Sequence, residues 1–307
     1  MLIIFSWMLE LSQFNQFMLD YLDPEIKLVE DVGRHILSAG GKRLRPLLMM
    51  EVCRVLGGDV ERVIPLAVGI EYIHMASLLH DDVVDGAHTR RGRPSANVLF
   101  GNQAVVLGGD YFYAKALWLY ANYGNLQAVE MVSRAVMHMS QSQLLELLSL
   151  GKLISEEEYF KIIDGKTGAL FGASMGVGAL MAESPLAEEF YQMGLKVGRA
   201  FQLIDDALDY SSSEERLGKP VGNDLREGKC TYPLLSVLDH LDKQWVLERF
   251  GRGNTEELRE KVVLLGGVEN TKRRAEEEIA PVLEFVGKFE NSQALLQLIK
   301  GIVNRDH

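Results

Sequence analysis

The stretch LLHDDVVDGAHTRRGRP, residues 78–94, sets Asp81, Asp82 and Asp85 behind an apolar run and follows them with Arg90, Arg91 and Arg93. Asp81 and Asp85 are four residues apart, so on a helix they share one face, with Asp82 at the flank. The same spelling returns in IDDALDY, which supplies Asp205, Asp206 and Asp209. Like charges at helical spacing repel, and each cluster costs stability unless a cation compensates it. A solvated helix end explains one such cluster as readily as a metal does. Two copies, each closing an apolar run, favour metal. Carboxylates that leave room for water and phosphate oxygens suit Mg²⁺, a hard ion that seldom receives a full protein cage. The spacing does not fit an EF-hand loop, and no His/Cys set suggests zinc.

Basic clusters accompany the acidic ones. GGKRLRP, residues 40–46, places Lys42, Arg43 and Arg45 after a glycine pair. SSSEERLGKPVGNDLREGK, residues 211–229, is the longest polar, glycine-containing stretch and carries Lys219 and Lys229. A loop of that length is commonly a lid or a binding loop. Arginine forks match phosphate oxygens in pairs, and lysine adds a point charge. Basic loops taken singly are usually just solvated. Beside two acidic clusters they imply two anionic groups, one held through metal and one directly by side chains. Acidic faces opposed across a cavity would take a polyanion such as a diphosphate.

The elements that must position these residues read as helices. AVEMVSRAVMHMSQSQLLELLSL (128–150) and SPLAEEFYQMGLKVGRAFQLIDDALDY (184–210) repeat apolar residues at three- and four-residue spacing. No hairpin signal separates alternating runs, and breaks are expected at Gly40-Gly41, Gly57-Gly58, Gly92–Pro94, Gly108-Gly109 and Ser211–Gly228. The expectation is one all-α domain over residues 1–307, with no repeat and no dividing linker. Apolar residues make up 47% and charged residues 24%, the balance of a soluble globular protein. A net charge of −11 argues against general nucleic-acid binding. It leaves anionic substrates open, because a bound metal reverses the sign of a carboxylate site. Cys53 and Cys230 form no metal pattern and read as reduced thiols of a cytoplasmic protein. The apolar start, MLIIFSWML, lacks a basic flank and cleavage site and is too short to span a bilayer, so a packed helix and no transmembrane segment are expected.

With these motifs in view, the chain resembles the polyprenyl (trans-isoprenyl) diphosphate synthases. GGKRLRP, LLHDDVVDGAHTRRGRPSAN, Lys166-Thr167-Gly168, FQLIDDALDY and GKPVGNDLREGKCTYPLL stand in that family's order, from Gly40 to Leu235. The resemblance implies an all-α bundle around a deep central cavity, usually a homodimer. It implies Mg²⁺-dependent addition of isopentenyl diphosphate to an allylic diphosphate. By position, Asp81, Asp85 and Asp205 become metal ligands, with Asp82, Asp206 and Asp209 in support. Arg90, Lys166, Thr167, Gln202, Lys219 and Lys229 are assigned to the allylic diphosphate; Lys42, Arg45, His74 and Arg91 to isopentenyl diphosphate. His74 alone in an apolar helix would ordinarily be a core residue, but it lies seven before Asp81, two turns down the same face.

Product length should follow from the residues below the first cluster. Ser77 and Ala76, four and five before Asp81, are small where short-chain members of the family often carry an aromatic floor, and Ile73 lies a turn deeper. A long product near octaprenyl is expected, with a farnesyl- or geranylgeranyl-forming enzyme as the alternative. Tyr111, Phe112 and Met137 are candidate floor residues on other helices. Further rivals are an HD-type phosphohydrolase built on His80-Asp81, a terpene cyclase and a partner subunit of a heteromeric synthase. The first leaves the second acidic cluster unexplained, the second has no need of GGKRLRP, and the third usually lacks the aspartates.

Overall fold

Helix carries nearly all the regular backbone in the computed structural model, which describes residues 2–22, 24–90, 92–211, 222–252 and 255–304, with side chains from Ser12 onward. Arg91 and Lys219 fall outside the described residues. Two compact units are distinguished, Met1–Ser133 with Ser174–Glu189, and Arg134–Ala173 with Phe190–His307.

The first unit holds α1 (Leu2–Leu22), α2 (Lys27–Ser38), α3 (Leu44–Val55), α4 (Ile64–Val84), α5 (Ala96–Phe100) and α6 (Asn102–Tyr123). At its centre is α4, opened by Pro65 where the missing N–H costs nothing. Its Ile70, Tyr72, Ile73, Met75, Ala76 and Leu79 are almost fully buried. It packs chiefly on α6, and glycines permit the approach. A Cβ on Gly69 would come within 2.8 Å of the Tyr120 ring, and one on Gly109 within 2.3 Å of His80. Gly108-Gly109 is therefore a packing notch inside a helix rather than the break its glycines suggest. The segment Val60–Val84 is long and apolar enough to cross a membrane, yet 72% of its apolar 18-residue window is buried within the protein, as in a core helix. Where no hairpin was expected, β1 (Thr89–Arg90) pairs antiparallel with β2 (Arg93–Pro94).

The second unit takes in most of α7 (Leu126–Ser149), then α8 (Glu156–Ile163), a π-helical turn (Asp164–Gly168) and the start of α9 (Ala169–Met181). It continues with most of α10 (Ala187–Ser211), α11 (Asn223–Glu227), α12 (Tyr232–Leu235), α13 (Lys243–Arg249), α14 (Glu256–Leu264), α15 (Gly267–Val286) and α16 (Gln293–Val303). Ser155 and Glu158 close a reciprocal capping box that starts α8. One apolar cluster gathers Ala207 and Tyr210 of α10 with Leu225, Leu234, Val246 and Leu258. It fixes the end of α10, which carries the second acidic motif, onto the short helices that follow.

Candidate active site

The first acidic motif closes α4. His80 anchors that end: its Nε2 lies 3.0 Å from the Val106 carbonyl, which can only accept, so Nε2 carries the proton. The ring also sits 5.7 Å from that of Tyr113, whose hydroxyl is pushed up to about 12 by burial and by Asp81 and Asp110. His80 is thus engaged with α6, which leaves the HD-type reading without its histidine. Asp82 is turned inward, 2% exposed, and its Oδ1 accepts from Arg90 Nη2 at 2.7 Å and Nε at 2.9 Å. Asn97 adds a bond to its carbonyl at 3.2 Å. Asp81 stays half-buried, and Asp85, at the helix C-cap, is exposed. The two carboxylates predicted to share a face are those left with accessible surface.

The three basic residues of GGKRLRP separate in the same way. Arg43 takes left-handed backbone (φ 48°), a strain of about 1–2 kcal/mol for a side-chain-bearing residue. It is held by Glu71 at 2.8 Å, the pair being 6% and 4% exposed, and by Asn15 at 3.1 Å. On either side, Lys42 is exposed and Arg45 half-buried. Arg93 ties the hairpin to the Ser38 carbonyl at 3.1 Å. Along α4, His74 and Ser77 are half-buried, and Ser77 Oγ donates to the His74 carbonyl at 2.8 Å. Ala76 is fully buried. Of the other floor candidates, Tyr111 donates to the Leu22 carbonyl at 2.6 Å, Phe112 is buried against Tyr72, and Met137 is 58% exposed.

The second motif sits in a denser polar network. Tyr159 of α8 donates to Asp206 Oδ2 at 2.6 Å, and Gln202 Nε2 donates to Asp206 Oδ1 at 2.8 Å. Thr167 Oγ1 in turn donates to Gln202 Oε1 at 2.9 Å. Burial raises the Asp206 carboxyl to about 7, with Asp205 and Asp209 adding to the rise while Tyr159 and Gln202 oppose it. Asp209 accepts the backbone N–H groups of Asn223 and Asp224 at 3.2 and 3.1 Å, and so fastens the start of α11 to α10. Burial raises Asp209 too. Asp224 is pushed well above the usual carboxylate range by burial, Asp209 and Asp206.

A small cavity of about 100 Å³ lies here, lined by Lys166, Thr167, Gln202, Asp206, Asp224 and Lys229 among others. Lys166 reaches it from the π-turn, paired with Glu146. Lys229 pairs with Glu227 at 2.6 Å; burial works against its charge, but Glu146, Glu227 and Asp224 raise it above the ordinary lysine value. Gly228 turns the chain into Lys229 at φ 75°, where a Cβ would meet the Gly151 nitrogen at 2.9 Å, so glycine is required twice over. Asp224, Glu146 and Tyr159 were missed by sequence reasoning. Asp224 stood inside the quoted lysine-bearing stretch, whereas Glu146 and Tyr159 carry no motif.

Among the described residues no three His, Cys, Asp or Glu side chains form a closed metal cage. Asp81 and Asp85 at the end of α4 and Asp205 on α10 each offer the carboxylate oxygens that Mg²⁺ prefers, and burial is the main reason the carboxyls of Asp206, Asp209 and Asp224 are raised.

An all-α chain with two acidic helix ends and a cavity that two lysines share with carboxylates, Thr167 and Gln202 has the make-up of a prenyltransferase. The polyprenyl synthetase family model matches residues 26–264, and the chain belongs to that family. It is 36% identical over 310 residues to the octaprenyl diphosphate synthase of Escherichia coli, covering 97% of this chain and 96% of that one. It is also 35% identical to a short chain isoprenyl diphosphate synthase of Methanocaldococcus jannaschii, over 83% of this chain and 81% of that one. Among solved structures, the polyprenyl synthase of Caulobacter crescentus, complexed with calcium and isoprenyl diphosphate, matches at TM-score 0.92 with 32% identity, covering 99% and 97% of the two chains.

Proposed function

We propose that this prenyltransferase condenses isopentenyl diphosphate onto an allylic diphosphate, with Mg²⁺, and that its product is long, near octaprenyl diphosphate. The observation that carries the reading is the run Thr167–Gln202–Asp206 beside Lys166 and Lys229 around one cavity. Cationic and hydroxyl groups able to meet phosphate oxygens there adjoin the buried carboxylates Asp206 and Asp224. Residues 26–264, which the family model matches, run through both compact units, which supports treating the chain as one catalytic domain. Bound Mg²⁺ would supply the charge that stabilises the departing diphosphate.

Asp81 and Asp85 would hold Mg²⁺ at the first motif and Asp205 at the second, with Asp82, Asp206 and Asp209 in support. Lys166, Thr167, Gln202, Lys229, Arg90 and Lys219 orient the allylic diphosphate, and cleavage of its C–O bond leaves an allylic cation. Lys42, Arg45, His74 and Arg91 present isopentenyl diphosphate, whose double bond attacks the cation to form the new C–C bond. A proton then leaves the adjacent carbon for the departed diphosphate. Excluding water protects the cation from hydrolysis. Small side chains at Ala76 and Ser77 let the growing tail pass. We further place the enzyme in the cytoplasm as a homodimer.

The test is incubation of the purified chain with farnesyl diphosphate, labelled isopentenyl diphosphate and Mg²⁺, followed by sizing of the prenyl alcohols. Label in chains of six to ten units is expected. Products stopping at three or four units would move the assignment to the short-chain reading that the Methanocaldococcus relative keeps in play. No incorporation by the chain alone would favour the partner-subunit reading.

A further inference from the structure

Lys166 and Thr167 belong to a π-turn, Asp164–Gly168, set between α8 and α9. Such a turn carries one residue more than the α-helix around it and swings the side chains within it. Glycines allow it. A Cβ on Gly165 would fall 1.8 Å from Ser142 Oγ, and one on Gly198 of α10 would fall 2.5 Å from the Gly168 Cα. Close packing alone does not set the register, because glycine tolerates either helix. The side-chain hold comes at the first residue. Arg199 of α10 meets Asp164 fork to fork, Nε to Oδ1 at 2.5 Å and Nη2 to Oδ2 at 2.7 Å.

Arg199 is itself braced. Its Nη1 lies 3.4 Å from Glu278 of α15, a carboxylate 7% exposed that also takes Arg274 at 3.1 Å. The guanidinium sits 5.4 Å from the Phe160 ring. One turn further along α10 is Gln202, the acceptor for Thr167. A single stretch of α10 therefore grips the π-turn at its start and again at its functional end.

We propose that Arg199 is a positioning residue: its two-pronged hold on Asp164 fixes the register of the π-turn and so directs Lys166 and Thr167 at the allylic diphosphate. This rests on reading Lys166 and Thr167 as diphosphate ligands, and the experiment separates the two ideas. In the full-length enzyme, Arg199→Gln, Arg199→Lys, Asp164→Asn, Arg274→Gln and Lys166→Ala are compared. The readouts are KM for farnesyl diphosphate, KM for isopentenyl diphosphate, and inhibition by inorganic pyrophosphate with Mg²⁺. Arg199→Gln and Asp164→Asn should each weaken the allylic substrate and pyrophosphate by about tenfold, the scale seen for residues that orient ligands. Isopentenyl diphosphate should stay within about twofold, and Arg199→Lys should fall between. Arg274→Gln, which cuts the same network away from Asp164, should change neither.

Lys166→Ala without effect would overturn the ligand reading. Lys166→Ala weakening binding while Asp164→Asn and Arg199→Gln do not would overturn the positioning role alone. Equal losses for both substrates, or an equal effect of Arg274→Gln, would reduce the clamp to general support. Should Arg199→Gln fail to fold, the near-isosteric Asp164→Asn carries the same comparison.

Discussion

Asp82 and Asp206 hold the same place in their motifs, second of the adjacent pair, and both are turned inward, 2% and 3% exposed. Their partners differ in kind. Asp82 has a guanidinium, Arg90, whereas Asp206 has two neutral donors, Tyr159 and Gln202. Spacing made the acids legible in the sequence, but a DD pair on a helix is 100° apart, and nothing in the letters says which member faces in. The partner residues were illegible because Tyr159 lies 47 positions from Asp206. Replacing Asp81 or Asp205 by Ala should lower kcat by about 100- to 1,000-fold, the scale of losing one charge-stabilising group, with the helical circular-dichroism spectrum unchanged. Retained turnover in both variants would contradict their assignment to metal. Tyr159→Phe removes a buried bond to a carboxylate and should cost about 1.5–3 kcal/mol in denaturant melts; an unchanged midpoint would mean Asp206 does not depend on it.

Helix as the dominant element was legible because apolar spacing survives in every long segment; how the helices deviate was not. The π-turn at Asp164–Gly168 interrupts no periodicity that a reader of DGKTG could notice, since three of its five positions are buried. Gly108-Gly109 misled for the opposite reason. Glycine marks a turn or a close approach equally well, and here α6 uses it to admit Val32 and His80. The same ambiguity bears on chain length. On α4, Ser77 stays on the Asp81 side and half-buried, while Ala76 lies 140° round the helix from Asp81 and is fully buried. Ala76→Tyr should therefore do two things: shorten the product distribution, and cost about 1–3 kcal/mol as an overpacked core. Ser77→Phe should shorten products with a smaller loss of stability. Unshortened chains from both variants, read by chromatography of the alcohols, would put the floor elsewhere.

At the scale of the molecule, the surface of α6 is out of keeping with an acidic, charged protein. Leu107, Leu117 and Trp118 are 67%, 51% and 49% exposed, with Val106 at 38%. Val106 and Leu117 are three turns apart on one ridge, Leu107 and Trp118 on the next, so the four side chains lie on one side of the helix, with the exposed Asp110 between the two pairs. Monomers seldom leave a large contiguous patch of this kind uncovered. Two chains of net charge −11 repel, and contact through a face whose charges are Asp110 and the Lys115 that sits over Trp118 brings few like charges together. In a two-fold dimer each residue of the patch occurs twice across the interface, so one substitution places two carboxylates in it. Leu107→Glu combined with Trp118→Glu should convert the proposed homodimer to a monomer at micromolar concentration by sedimentation, with the helical spectrum retained. A wild-type chain that sediments as a monomer, or a double variant that stays dimeric, would rule out α6 as the interface; the first result would also remove the homodimer from the proposed function.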